Sequence, residues 1–119
     1  MTDPADTHTH AANAQLDAFA AALAQAMNDM MQAMHAAGST GDPDRDFLAM
    51  MIPHHQGAVD MAAALLRYGR DPLVRQMASE IIATQQAEIA AMRARLAVLE
   101  GRGGDSAYPA LSGTRGLVR

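Results

Sequence analysis

Two short turns with the same residue pattern, a glycine followed by Asp-Pro, divide this chain into three long segments. The first turn is "GSTGDPD", residues 38–44, and the second is "GRDP", residues 69–72. In each turn a glycine, which can end a helix, is followed by an Asp-Pro pair, which can cap and begin the next one. Connections this short make consecutive helices antiparallel neighbours. The sequence therefore predicts an all-α protein with an antiparallel, up-down-up arrangement of three helices.

The predicted helices occupy about residues 12–36, 42–68 and 72–100, because apolar residues recur there at three- and four-residue spacing. Polar residues 1–11 are interpreted as a flexible N-terminal arm. The glycine-rich, aperiodic residues 101–119 are interpreted as a flexible C-terminal tail. One helical domain, residues 12–100, is expected between them.

The apolar material of this chain is unusual in kind. Half of its residues are hydrophobic, yet it has two Phe, two Tyr, no Trp, no Cys and ten Met. Without cysteine, disulfides and thiolate metal sites are excluded. Three helices this amphipathic leave an apolar flank in a chain of 119 residues. We therefore expect a homodimer that completes a larger bundle.

Several functional classes find no support. The formal charge is -4, every basic residue is an arginine, and no basic run is present, so nucleic acid is not an expected partner. No apolar run is long enough to span a membrane and the N-terminus does not resemble a signal peptide, so no membrane insertion is expected. The sequence leaves open whether an export signal was removed. Metalloprotease, di-iron and phosphate-loop motifs are absent, so we do not predict an enzyme.

The stretch "MMIPHHQGAVDMA", residues 50–62, contains the most distinctive chemistry. Met50 and His54 are four residues apart, as are Met51 and His55, so each pair stacks on one edge of the helix. Met61 lies two turns beyond His54 on the same edge. The two adjacent histidines consequently diverge, and we expect one of them to face a neighbouring helix that the other does not.

Antiparallel register brings further methionines and histidines to the same level of the bundle. The candidates are Met27, Met30, Met31, Met34 and His35 in the first helix and Met92 in the third. Thioethers and imidazoles suit Cu(I) and Ag(I), whereas hard cations require oxygen-rich sites. Methionine at helical spacing is also a common flexible core filler. Spacing alone therefore leaves a metal-binding layer and an apolar core equally open.

Other residues near this layer have two interpretations each. Gln85 and Glu88 are expected either to orient His54 or His55 or to form a structural hydrogen bond. Pro53 removes a helical hydrogen bond and predicts a kink, which serves either ligand access or packing. The pair His8 and His10 could capture Cu(II), but the more frequent interpretation is a solvated polar arm.

The segments "GDPDRDFLAMMIPHHQGAVDMA" and "LRYGRDPLVRQMASEIIATQQAEIAAM" closely resemble the family catalogued as domain of unknown function number 305. Its members include Met- and His-rich bacterial copper-binding proteins. The resemblance implies a ferritin-like or four-helix-bundle architecture and the binding of Cu(I), and also Ag(I), in the periplasm or outside the cell. It carries these motif positions into a metal site: Met50, Met51, His54, His55, Met61 and Met92.

The resemblance also bears on oligomeric state, because longer family members contain two copies of this motif and this chain contains one. That departure favours a homodimer. The resulting hypothesis is a protein that sequesters Cu(I), or exchanges it with a copper-delivery or efflux protein, in copper tolerance. The competing hypotheses are a metal-independent helical interaction module with a Met-rich interface and, less favoured, an enzyme that uses the bound metal.

Overall fold

The computed structural model describes residues 4–101, which form three helices. Helix α1 spans Pro4–Ala36, α2 spans Pro43–Tyr68 and α3 spans Pro72–Gly101. Helix α2 packs against both α1 and α3, and no strand occurs within this range. The short turns make neighbouring helices antiparallel, so the predicted all-α, up-down-up arrangement is confirmed.

Helix α1 begins eight residues before the predicted start at Ala12. The described part of the predicted arm, residues 4–11, is helical and exposed. Local signals explain the difference: Pro4 fits a first helical turn, Asp6 lies near the positive end of the helix dipole, and Ala11 favours helix. The predicted tail begins at Gly101, which ends α3, and residues 102–119 lie outside the described part of the chain.

The turn between α1 and α2 is organised around two aspartates. Asp42 caps α2 by accepting a hydrogen bond from the backbone N–H of Asp44 at 3.2 Å, and Pro43 occupies the first turn. The carboxylate of Asp46 accepts hydrogen bonds from the backbone N–H groups of Thr40, at 3.0 Å, and Gly41, at 2.9 Å. It also accepts a bond from the guanidinium of Arg45 at 3.1 Å. The turn is therefore held by acceptors that must stay ionised.

Acid should loosen this turn. Hydrogen bonds from Thr40, Arg45 and Gly41 hold the pKa of Asp46 well below its ordinary value of 3.8. A lowered folded-state pKa adds stability above the unfolded value, and this stability is lost as the pH falls below it. We expect Asp46→Asn to lower Tm at pH 7, with a gap from wild type that narrows towards pH 2 in thermal melts. The exposed Asp17 provides the control, and a gap of equal size at both pH values would contradict the prediction.

The three helices form an open layer instead of closing around a common core. Within residues 4–101, α1 and α3 do not contact each other. Helix α2 lies between them and uses opposite flanks, since Gly57, which contacts α1, and His55, which contacts α3, are about 200° apart around the helix. No side chain in this range is fully buried. The most buried apolar residues are Ala26, Ala49, Val59, Ala62, Ala64, Ala78 and Ile89.

None of the helices in residues 4–101 combines the length and apolar character that crossing a membrane requires.

Candidate metal site

His55 is the most distinctive side chain in the contact between α2 and α3. Its Nε2 atom lies 2.7 Å from Oε1 of Glu88, and the side chain is 18% exposed. Its Nδ1 atom is buried and has no hydrogen-bond partner. An ionised carboxylate can only accept, so Nε2 carries the proton in the neutral ring and the Nδ1 lone pair remains free. The geometry thus presents one imidazole nitrogen that is available as a ligand.

The two adjacent histidines differ as the sequence predicts. His55 faces α3, whereas His54 is exposed, and their ring centroids are 6.1 Å apart. The predicted contact between a histidine and a polar residue of α3 is made by Glu88. Gln85 is half-buried, and the structure of residues 4–101 shows no hydrogen bond from it to either histidine.

Two thioethers belong to the same contact region. The bond between His55 and Glu88 fixes the antiparallel register of α2 and α3. One turn earlier on α2 is Met51, and one turn later on α3 is Met92, so helical spacing brings these two methionines to one level. Both are half-buried. We call Met51, His55 and Met92 the seam donors.

A second register point lies between α1 and α2. A Cβ atom placed on Gly57 would lie only 2.5 Å from Sδ of Met30, so this methionine packs directly on the glycine. Met30, a predicted ligand, is therefore a packing residue between the two helices. Its neighbours Met27 and Met31 are more exposed, at 44% and 59%. Helical spacing turns Met27, Met31 and Met34 towards one open side of the layer.

The two sides of the layer differ in charge. A groove on one side is lined mainly by apolar residues of all three helices, such as Met30, Ile52 and Leu96, but it also carries the polar side chains of Asp29, Gln56, Asp60 and Arg93. Helical spacing places most methionines on the other side. We define the methionine face as Met27, Met31, Met34, Phe47, Met50, Met51, His54, Met61, Met77, Ile81 and Met92. The apolar line of α2 that includes Phe47, which is 60% exposed, therefore faces outward and not into a core.

Not every predicted ligand reaches this face. His35 is exposed and lies one turn after Met31, on the same edge of α1. The exposed His8 and His10 lie near the start of α1, more than two turns before Phe19, which contacts the last residue of α2. The structure therefore separates His8 and His10 from the seam donors, whereas His35 follows Met31 at the edge of the methionine face.

Pro53 does not open α2 between the ligands. The helix is continuous across Pro53. This proline lines the groove that carries Asp29 and Arg93, together with Met30 and Gly57. The proline thus lies on the side opposite His54. Its position supports the packing interpretation over the ligand-access interpretation.

Oxygen and nitrogen ligands alone do not form a metal site here. Residues 4–101 contain no group of three or more His, Asp or Glu side chains arranged to hold a metal ion. The pairing of His55 with Glu88 is the part that sequence reasoning only half identified, since it could not select between the two histidines or between Gln85 and Glu88.

Comparison with known proteins gives a family but no activity. The family model described as "Domain of unknown function (DUF305)" matches residues 2–96. The chain is also similar to "Uncharacterized protein L153" of Acanthamoeba polyphaga mimivirus, with 40% identity over 53 residues. That alignment covers 44% of this chain and 35% of the viral protein, so the match spans about a third of that relative's length. Because the family model covers most of its length, this chain belongs to the DUF305 family.

Proposed function

We propose that this protein binds Cu(I), and also Ag(I), through thioether and imidazole ligands and sequesters or transfers the metal. The observation that carries the proposal is His55, whose Nε2 is held by Glu88 while its buried Nδ1 has no partner. Histidines that bind metals commonly donate their second ring N–H to a carboxylate, which fixes the ring and raises its basicity. Met51 and Met92 supply soft sulfur one helical turn from this imidazole.

The donor set selects the class of metal. Soft thioethers favour Cu(I), whereas Mg²⁺ and Ca²⁺ need several oxygen ligands that residues 4–101 do not bring together. A thioether also needs no deprotonation before it binds, so only the imidazole share of the affinity depends on pH. The half-exposed Met31 and Met50 are positioned for capture from solvent or from a copper-delivery or efflux protein. A periplasmic or extracellular location is part of this proposal and is suggested by the family resemblance.

The proposal is tested by anaerobic titration of the metal-free protein with Cu(I) in competition with a chromogenic Cu(I) chelator. Zn(II) is the comparison metal because it tolerates imidazole but gains little from thioethers. We expect stoichiometric Cu(I) binding that withdraws metal from the chelator, together with weak Zn(II) binding. Failure to compete with the chelator, or tighter binding of Zn(II), would overturn the proposal.

Removing both thioethers of the seam donors should weaken Cu(I) binding. The double variant Met51→Leu/Met92→Leu nearly conserves volume, which limits the structural cost. We expect its Cu(I) dissociation constant to rise by at least about 10-fold, because two soft ligands are replaced by hydrocarbon. The same chelator competition measures it. Met30→Leu is the matched control, because Met30 packs on Gly57 and lies outside the methionine face, and an equal loss in that variant would refute the assignment.

A second candidate function is a metal-independent interaction module. The exposed Phe47 and Ile81, which cannot bind a metal, favour a surface that contacts protein. Thermal melts separate the two functions, because a ligand specific for the folded state raises Tm. An unchanged Tm at saturating Cu(I) would favour the interaction module.

A further inference from the structure

The methionine face is a mainly apolar surface with nothing covering it in residues 4–101, although the 51% exposed side chain of Glu88 lies on the same edge of α3 as Ile81. Phe47 is 60% exposed, Met31 59%, Met77 51% and Ile81 43%. These four residues come from all three helices. Soluble monomers seldom expose large contiguous apolar patches, and those that exist mark interaction sites.

The size of the face matches a stable protein interface. Helix α2 has 26 residues, which correspond to roughly 40 Å of length at 1.5 Å per residue. Three helices side by side, about 8–10 Å apart, present a surface on the order of 1,000 Å². A standard interface buries about 800 Å² on each partner. One face of this layer is therefore large enough to hold a second layer of the same kind.

The distribution of charge allows the face to meet a copy of itself. The stripes that α1 and α2 contribute contain no carboxylate and no guanidinium. Glu88 is paired with His55, and the charged residues at one rim, Asp44 and Arg95, have opposite signs. Two copies can thus approach without like charges meeting across the centre. The opposite side of the layer, with Asp29, Asp60 and Arg93 along its groove, is unsuited to such burial.

We propose that a second copy of this chain covers the methionine face, so that the methionines and histidines of both copies line one shared inner layer. In a single copy the half-buried Met51 and Met92 border solvent on this side, whereas Nδ1 of His55 is already buried. The second copy supplies further thioethers there and excludes water. The dimer itself is independent of metal, whereas the shared metal layer rests on the proposed Cu(I) function.

The test begins with the oligomeric state of the metal-free full chain, measured by sedimentation equilibrium. We expect a dimer, and we expect Phe47→Glu or Ile81→Glu to raise its dissociation constant by at least about 100-fold, because each variant buries an unpaired charge in each copy. Ala63→Glu, on the exposed polar side of α2, is the matched control and should change it less than about 3-fold. Circular dichroism confirms that each variant remains helical.

Three outcomes would overturn the dimer. They are a monomeric wild-type chain, a dimer that Ala63→Glu weakens as much as Phe47→Glu does, and binding of phospholipid vesicles in place of self-association. In a monomer, protection of Phe47 from hydroxyl-radical labelling would identify residues 102–119 of the same chain as the cover.

Cu(I) titration then separates the dimer from the metal proposal. A dimer that does not bind Cu(I) would refute the proposed function and leave the dimer intact. A monomeric Phe47→Glu variant that binds Cu(I) as tightly as wild type would refute the shared layer, because its seam donors are unchanged. We expect this variant to lose at least about 10-fold in affinity.

Discussion

Glu88→Gln is expected to raise the dissociation constant for Cu(I) by roughly 10–100-fold, the usual effect of removing the carboxylate behind a metal-binding histidine. His55→Ala is expected to cost at least as much, because it removes the ligand itself. The reason lies in the 2.7 Å contact between Nε2 of His55 and Glu88, which holds the ring while Nδ1 remains available. Chelator competition measures both variants.

A structural role for the pair is distinguished by the stability of the metal-free protein. His55 leaves one buried nitrogen without a partner, so the pair contributes little net stability before metal binds. We therefore expect Glu88→Gln to change Tm of the metal-free protein only slightly. Glu80→Gln, an exposed carboxylate two turns earlier on α3, is the control. An affinity loss that merely follows a loss of stability, or one that Glu80→Gln reproduces, would contradict the prediction.

The second large effect is expected at Gly57, where Met30 of α1 packs against α2. A Cβ atom there would lie 2.5 Å from Sδ and 2.9 Å from Cγ of Met30. A leucine must displace Met30 and push the helices apart, and overpacking of this kind costs about 1–3 kcal/mol. The helical preference of leucine over glycine recovers only about 0.5–1 kcal/mol. We expect Gly57→Leu to lower the free energy of unfolding in urea.

A double-mutant cycle shows whether Met30 is the cause. Met30→Ala removes the side chain that Gly57→Leu would strike, so the double variant should be more stable than the sum of the single effects predicts. Ala63→Leu places the same side chain on the exposed side of α2 and should leave stability nearly unchanged. Strict additivity of Gly57→Leu and Met30→Ala would show that the close contact is not what limits the site.

The ends of most of the helices could be predicted because the residues that start and stop a helix act locally. Glycine and Asp-Pro determine where α2 and α3 begin, and Gly69 determines where α2 ends. The predicted start of α1 at Ala12 is too late because the polar composition of residues 4–11 conceals the helix signals of Pro4 and Asp6. The open layer could not be predicted. An apolar stripe, such as the one that contains Phe47, shows that a helix face favours burial, but it does not show which helix or partner packs on that face.

The sequence predicts how far along the bundle each candidate ligand lies, but it does not predict towards which neighbour each helix turns that side chain. Short antiparallel connections bring Met92 to the level of Met51, whatever the exact orientation of each helix. To select His55 over His54, one must know which side of α2 faces α3. Small buried residues such as Ala62 and Val59 determine this orientation through close packing.

The alanines between the helices affect how fast the protein can adjust to a bound species. Side chains as short as Ala26, Ala49 and Ala78 have no rotamers to rearrange, so the backbone contacts they make are stiff. Methionine, with three rotatable bonds, is the most adaptable apolar residue. The layer is therefore rigid where its helices touch and compliant where its sulfur atoms extend. Methionine side chains can adjust to a bound species by bond rotations, which take picoseconds to nanoseconds. No helix motions, which take microseconds to milliseconds, are needed.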